Sequence, residues 1–211
     1  PMSAKFITFE GTEGVGKTTA IDHLCEKLSQ ENISFIRTRE PGGSEFAESC
    51  RKILLDNKAD MTIDSELLLV FSARADHLHK VILPALAQNT WVICDRFIDS
   101  TIAYQGFGGY HGDKKQLNII DFLIQNFVPR LPDMTFWLDL DPKIGLMRAK
   151  QRSKADRMEQ NDEAFFHQVY QGFCQQYQND NKRIIRIDAH QTPEKITEDI
   201  WQRLKVGSGS N

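Results

Sequence analysis

Gly11-Thr12-Glu13-Gly14-Val15-Gly16-Lys17-Thr18 follows the apolar run Phe6-Ile7-Thr8-Phe9 and precedes a helical pattern. The spacing G-x-x-x-x-G-K-[ST] is that of a phosphate loop. Its glycines let the backbone curl until successive N–H groups face phosphate oxygens, and the helix N-terminus behind them adds partial positive charge. Gly11, Thr12, Glu13, Gly14, Val15, Gly16, Lys17, Thr18 and Thr19 are therefore predicted to surround the phosphates of a nucleoside triphosphate. Lys17 reaches for the β- and γ-phosphates, and Thr18 offers its hydroxyl to Mg²⁺.

A phosphate loop does not choose among GTPase, ATPase and kinase; other residues must. Asn57-Lys58-Ala59-Asp60 matches the guanine-reading N-K-x-D pattern, but it comes soon after the loop, follows a helical run, and has no D-x-x-G to accompany it. It reads as the solvated end of a helix. Asp95-Arg96 closes the apolar strand Trp91-Val92-Ile93-Cys94 and sets an anion and a cation at a strand's carboxyl edge. Arg96 has the fork geometry for phosphate, and Asp95 can hold Mg²⁺ or its waters. Between Arg148 and Arg157 five cations stand against one anion. In a phosphoryl-transfer site such a run serves as a lid that surrounds the spreading charge and excludes water. Arg39 with the turn Glu40-Pro41-Gly42-Gly43 can clamp a second phosphate, and a cis Glu40-Pro41 bond is expected in so tight a turn.

Strand patterns at 5–9, 34–38, 90–94, 134–138 and 183–187 alternate with helical patterns at 17–30, 44–56, 64–86, 114–127, 142–151, 160–178 and 193–205. That alternation predicts an α/β fold: a three-layer sandwich with a five-stranded parallel sheet and helices on both faces, its site at the carboxyl ends of the strands. Gly106 to Gly112 reads as a loop, as does the basic segment near Arg152. One domain over 1–206, with a lid at about 148–158 and a flexible tail at 207–211, suits a chain of 211 residues. Pro1 ahead of Met2 reads as a cloning remnant.

A net charge of -3 gives no global attraction for nucleic acid or an anionic membrane, so neither partner is expected. Cys25, Cys50, Cys94 and Cys174 form no C-x-x-C pair, which argues against a zinc or redox motif and fits a reducing compartment. With no secretory leader pattern and no long apolar stretch, the expectation is a cytoplasmic protein. His77 and His79 lie two apart on a helix and cannot share a metal. Phe165, Phe166 and Tyr170 at helical spacing read as core.

Taken together, FEGTEGVGKTT (9–19), TREPGGS (38–44), LLLVFSAR (67–74), CDRFIDSTIAYQG (94–106), LDLDPKIGLMRA (138–149) and DRMEQ (156–160) resemble the thymidylate kinase family. The resemblance implies a Mg²⁺-dependent transfer from ATP to dTMP on a nucleoside-monophosphate-kinase fold that generally dimerises. It looks like the bacterial type, whose lid supplies the charge. By the same resemblance, Lys17 and Thr18 serve ATP and Mg²⁺, Arg39 and Arg96 hold the dTMP phosphate, and Glu13 faces the sugar 3′-hydroxyl. Arg74 donates to a thymine carbonyl, and Thr101 and Gln105 address the remaining polar edge. Tyr104 lies where a ribose 2′-hydroxyl would protrude, and Pro41 and Ser100 belong to the same acceptor site. In the lid, Arg152 is the first candidate for the transferred phosphoryl group, with Arg148 nearer the adenine and Arg157 in support. The family's stacking aromatic stands four residues before the arginine, where this chain has Val70; Phe71, three before, can take that place or belong to the core. Another nucleoside monophosphate kinase, or a nucleotide-dependent switch, are the alternatives; the missing D-x-x-G and the basic lid count against a switch.

Overall fold

The computed structural model describes residues 3–207. The two leading residues and the part of the expected tail at 208–211 lie outside them. Five strands, β1 (Phe6–Glu10), β2 (Phe35–Arg39), β3 (Trp91–Asp95), β4 (Met134–Asp139) and β5 (Ile184–Asp188), form one parallel sheet in the order β2-β3-β1-β4-β5. All five expected strands are present, within a residue of the predicted bounds. Side chains alternate between the two faces of a strand, and β1 shows the result. Ile7 and Phe9 join one core with α1 (Lys17–Gln30) and α9 (Pro193–Gly207), while Phe6 joins another on the opposite face. That second core is built with α3 (Ile63–His77) and α6 (Lys114–Phe127), so helices cover both faces of the sheet.

Caps define the helix starts around the site. Ser44 caps α2 (Glu45–Leu55), Thr62 caps α3, Asp141 caps α7 (Pro142–Arg152), and Asp162 caps α8 (Glu163–Asn179), each accepting a backbone N–H. α7 ends in the arginine predicted for the lid.

Two expectations are corrected. The single helix at 64–86 is instead α3, a π-helical turn over Leu78–Ile82, and α4 (Leu83–Ala87). Pro84 lacks an N–H to continue a regular ladder, and the wider turn lies just ahead of it. The loop expected at Gly106 to Gly112 is helical as far as Gly109: α5 (Ile98–Thr101) runs into a π-helix over Ile102–Gly109. These glycines allow close packing, not a turn. A Cβ on Gly106 would lie 2.8 Å from Leu117 of α6, and one on Gly108 would lie 2.5 Å from Phe165 of α8.

Among the described residues no helix is long and apolar enough to cross a membrane.

Candidate active site

The carboxyl ends of β1, β2 and β3 are tied together by backbone bonds, Glu40 N–H to Asp95 O and Arg96 N–H to Phe9 O, both 2.9 Å. Above this edge opens a cleft of about 360 Å³. Its walls are the phosphate loop, the Arg39–Pro41 turn, α2, α3, the Asp95–Gln105 segment and the chain from Arg152 to Glu159. Parts distant in sequence thus meet in one place.

In the loop, Gly14 has φ +69°, a left-handed conformation that favours glycine. A Cβ there would sit 1.9 Å from Gly145 O, and one on Gly145 would sit 2.2 Å from Glu13 O. The loop and α7 therefore touch backbone to backbone. Glu13, Gly14, Val15, Gly16, Lys17 and Thr18 line the cleft. Gly11 and Thr12 are buried behind them, and Thr19 is exposed outside the lining. Burial and Arg96 press the Lys17 pKa below the ordinary lysine range, with Asp95 and Glu13 acting in the opposite direction.

Arg96 occupies a left-handed backbone position, φ +70°. Its Nη1 donates to Gly11 O at 2.8 Å and Ser100 Oγ at 3.0 Å, and Nη2 donates to Glu13 Oε1 at 3.1 Å. Tyr104 OH donates to the same Glu13 oxygen at 2.7 Å. Burial would raise the Glu13 pKa, but Arg96, Lys17 and the Tyr104 hydroxyl prevail and hold it below the usual carboxylate range. Beneath lies Glu10, fully buried, accepting from Phe97 N–H, Ser100 N–H and Ser100 Oγ–H. Burial and the neighbouring Asp99 carboxylate push its pKa up to about 8.

Asp95 lines the cleft with one carboxylate oxygen, Oδ1, buried and without a hydrogen-bond partner, 3.9 Å from Lys17 Nζ. This carboxylate and the Thr18 hydroxyl, both on the cleft lining, are a hard, oxygen-only donor set. It fits Mg²⁺, which keeps most of its waters and takes one or two protein oxygens beside substrate phosphates. Among the described residues no cluster of three His, Cys, Asp or Glu side chains forms an all-protein metal cage.

Of the residues expected to hold the acceptor, Arg39, Pro41, Arg74, Ser100, Thr101, Tyr104 and Gln105 all line the cleft. Glu40–Pro41 is cis, as expected. Arg39 is half-exposed and pairs with Glu48 at 3.0 Å. Gln105 Nε2 donates to Glu66 Oε2 at 2.9 Å. Phe71 departs from the stacking role: it is buried in the core beneath Arg74, whose guanidinium carbon lies 5.2 Å from its ring centroid. Val70 and Phe97 supply the apolar wall of the cleft instead.

Of the cations expected in a lid, Arg152 lines the cleft while Arg148 is exposed on α7 outside the lining. Arg157 is turned across to α3, where its Nη1 pairs with Glu66 at 2.5 Å. Its N–H donates to Leu55 O at 3.3 Å, and Asn57 donates to Ala155 O at 3.2 Å. The segment after Arg152 is thus fastened to the far wall.

Three contributors escape the sequence reading. Arg51 of α2 lines the cleft and donates to Pro41 O at 2.9 Å, and no motif in the sequence marks it. Glu40 and His77 form a buried carboxylate–imidazole pair behind Arg74, and no linear spacing announces it.

The thymidylate kinase family model matches residues 9–200. A thymidylate kinase of Psychrobacter sp. (strain PRwf-1) is 57% identical over 200 residues, covering 95% of this chain and 96% of the relative. That of Magnetococcus marinus is 44% identical over 206 residues, 97% of each. A crystal structure of thymidylate kinase from Ehrlichia chaffeensis superposes with a TM-score of 0.75 at 35% identity, covering 96% of this chain and 99% of that one. With the phosphate loop, the acceptor wall and the basic α7 segment arranged around one cleft, the chain belongs to the thymidylate kinase family.

Proposed function

We propose that this chain transfers the γ-phosphoryl group of ATP to dTMP, giving dTDP and ADP for dTTP synthesis. The observation that carries the proposal is the convergence of Lys17, Arg39, Arg51, Arg74, Arg96 and Arg152 on a single cleft. The acceptor is a phosphate oxygen, largely dianionic at neutral pH with a second pKa of about 6, so no general base is needed. What the protein must supply is alignment of two anions and cancellation of their repulsion.

In this reading the loop from Gly11 to Thr19 holds the ATP phosphates. Arg39, Arg51 and Arg96 take the dTMP phosphate, and Arg152, delivered by the lid over 148–158, meets the transferred group. Arg148 remains assigned to the adenine side. Thr18 and Asp95 would hold Mg²⁺, which when bound draws off negative charge from the phosphates. Glu13 and Tyr104 receive the deoxyribose, and Arg74, Thr101 and Gln105 read the thymine edge against the wall of Val70 and Phe97. The exposed Phe46, Ile53 and Leu68 of α2 and α3 supply apolar surface for a homodimer. The four free cysteines support a cytoplasmic setting.

A coupled ADP-release assay across dTMP, dUMP, UMP, CMP, GMP and AMP tests the acceptor. dTMP should lead, with dUMP poorer by the ~1–3 kcal/mol that one methyl group contributes. Faster turnover of any other monophosphate would replace dTMP as the substrate.

A further inference from the structure

We infer that Glu40 and His77 are positioning residues for the acceptor base: they fix the direction in which Arg74 presents its free donors. The inference rests on the dTMP kinase reading above and extends it to two side chains that take no part in phosphoryl transfer.

Arg74 is 3% exposed, yet it borders the cleft. Its Nε donates to Glu40 Oε1 at 2.7 Å, and its Nη1 donates to Thr101 Oγ1 at 3.0 Å. The rings of Phe71 and Phe97 lie 5.2 Å and 5.3 Å from the guanidinium carbon. No hydrogen bond joins Nη2 to a described residue, so its two N–H groups, with the second N–H of Nη1, are left to donate to a ligand. The planar fork has only one way to satisfy these contacts together, and its aim is thereby set.

The other oxygen of Glu40 is held by His77. Oε2 lies 2.7 Å from His77 Nδ1, and His77 Nε2 lies 2.7 Å from Thr38 Oγ1 on β2. With Nδ1 donating to the carboxylate, a neutral ring accepts at Nε2 from the threonine hydroxyl. The imidazole is fully buried, and a Cβ on Gly43 would fall 2.2 Å from its Nε2. The turn that follows Pro41 is therefore packed on the ring whose other nitrogen steadies the Arg74 counter-ion. One side chain links the phosphate side of the acceptor site to its base side. A histidine serving only to fill the core would need its ring volume; here both nitrogens are engaged, one of them on the carboxylate that holds a cleft arginine.

The test compares the parent chain with His77→Phe, His77→Asn and His77→Gln. The asparagine amide can stand where Nδ1 stands and keep Glu40 in place, whereas the glutamine amide reaches the Nε2 position and serves Thr38. Steady-state kinetics are measured with dTMP and ATP varied separately, with thermal unfolding followed in parallel. His77→Asn should keep KM for dTMP within about threefold of the parent, while His77→Gln and His77→Phe should raise it about tenfold or more, the scale of losing a charge-assisted hydrogen bond. KM for ATP should stay within about twofold throughout. Equal KM values for dTMP in the asparagine and glutamine variants, or a parallel rise in KM for ATP, would overturn the assignment. Should His77→Phe fail to fold, the asparagine–glutamine comparison decides. A parent chain that does not phosphorylate dTMP would instead overturn the activity itself, and that failure is visible before any variant is made.

Discussion

Tyr104 and Arg96 lie face to face: the guanidinium carbon is 4.9 Å from the ring centroid, and both side chains donate to the same oxygen of Glu13. Two separate contributions of Tyr104 can therefore be removed one at a time. Tyr104→Phe loses the hydroxyl bond and keeps the ring, while Tyr104→Ala loses both. If the ring excludes a ribose 2′-hydroxyl, the phenylalanine variant keeps the preference for dTMP over its ribose counterpart. The alanine variant gives up most of a discrimination of about 10². The ratio of kcat/KM for the two acceptors measures it, and an unchanged ratio in both variants would remove the ring from that role.

Glu13 makes an acid-side prediction. Its carboxyl is held below the ordinary range in the folded state, so the charge interactions contribute stability above the unfolded pKa of about 4.3, and that contribution is lost as pH falls. Chemical denaturation of the parent and of Glu13→Gln should show a stability gap that is flat near neutral pH and closes under acid. A gap that widens as pH falls would mean that Glu13 is not stabilised as a charged group by Arg96 and Lys17.

Gly145 joins α7 to the phosphate loop. Since a Cβ there would press on Glu13 O at 2.2 Å, Gly145→Ala must push α7 away from the phosphate loop. The expected cost is ~1–3 kcal/mol of stability, typical of overpacking, together with a fall in kcat as Arg152 is displaced. Calorimetry and steady-state rates report the two effects; wild-type values for both would show that the contact relaxes freely.

Arg152→Ala isolates the lid's charge. Removing an arginine that meets the transferred group lowers kcat by ~10³, with dTMP affinity largely kept. A loss below tenfold would move the role to another cation.

The sheet was legible because parallel strands buried on both faces read as short apolar runs, and the phosphate loop because its chemistry admits few substitutions. What escaped has physical reasons. Gly106, Gly108 and Gly109 read as a loop because glycine usually marks a turn; here the missing side chains let a π-helix approach α6 and α8. Phe71 shares a helix face with Arg74, and that spacing does not tell whether the shared face meets a ligand or the core. The structure puts Phe71 beneath the arginine and Val70 on the cleft. The pairing of Glu40 with His77, and of Glu10 with Ser100, joins residues 37 and 90 positions apart, and only the fold brings them together. Arg51 stands on an amphipathic helix as many solvated cations do, and its bond to Pro41 O exists only through the fold.

The most direct test of phosphoryl transfer to dTMP is a phosphorus NMR time course with ATP, Mg²⁺ and dTMP. dTDP and ADP should appear in equal amounts, with no consumption of ATP when dTMP is left out. Release of inorganic phosphate in place of dTDP, or ATP loss without an acceptor, would contradict it.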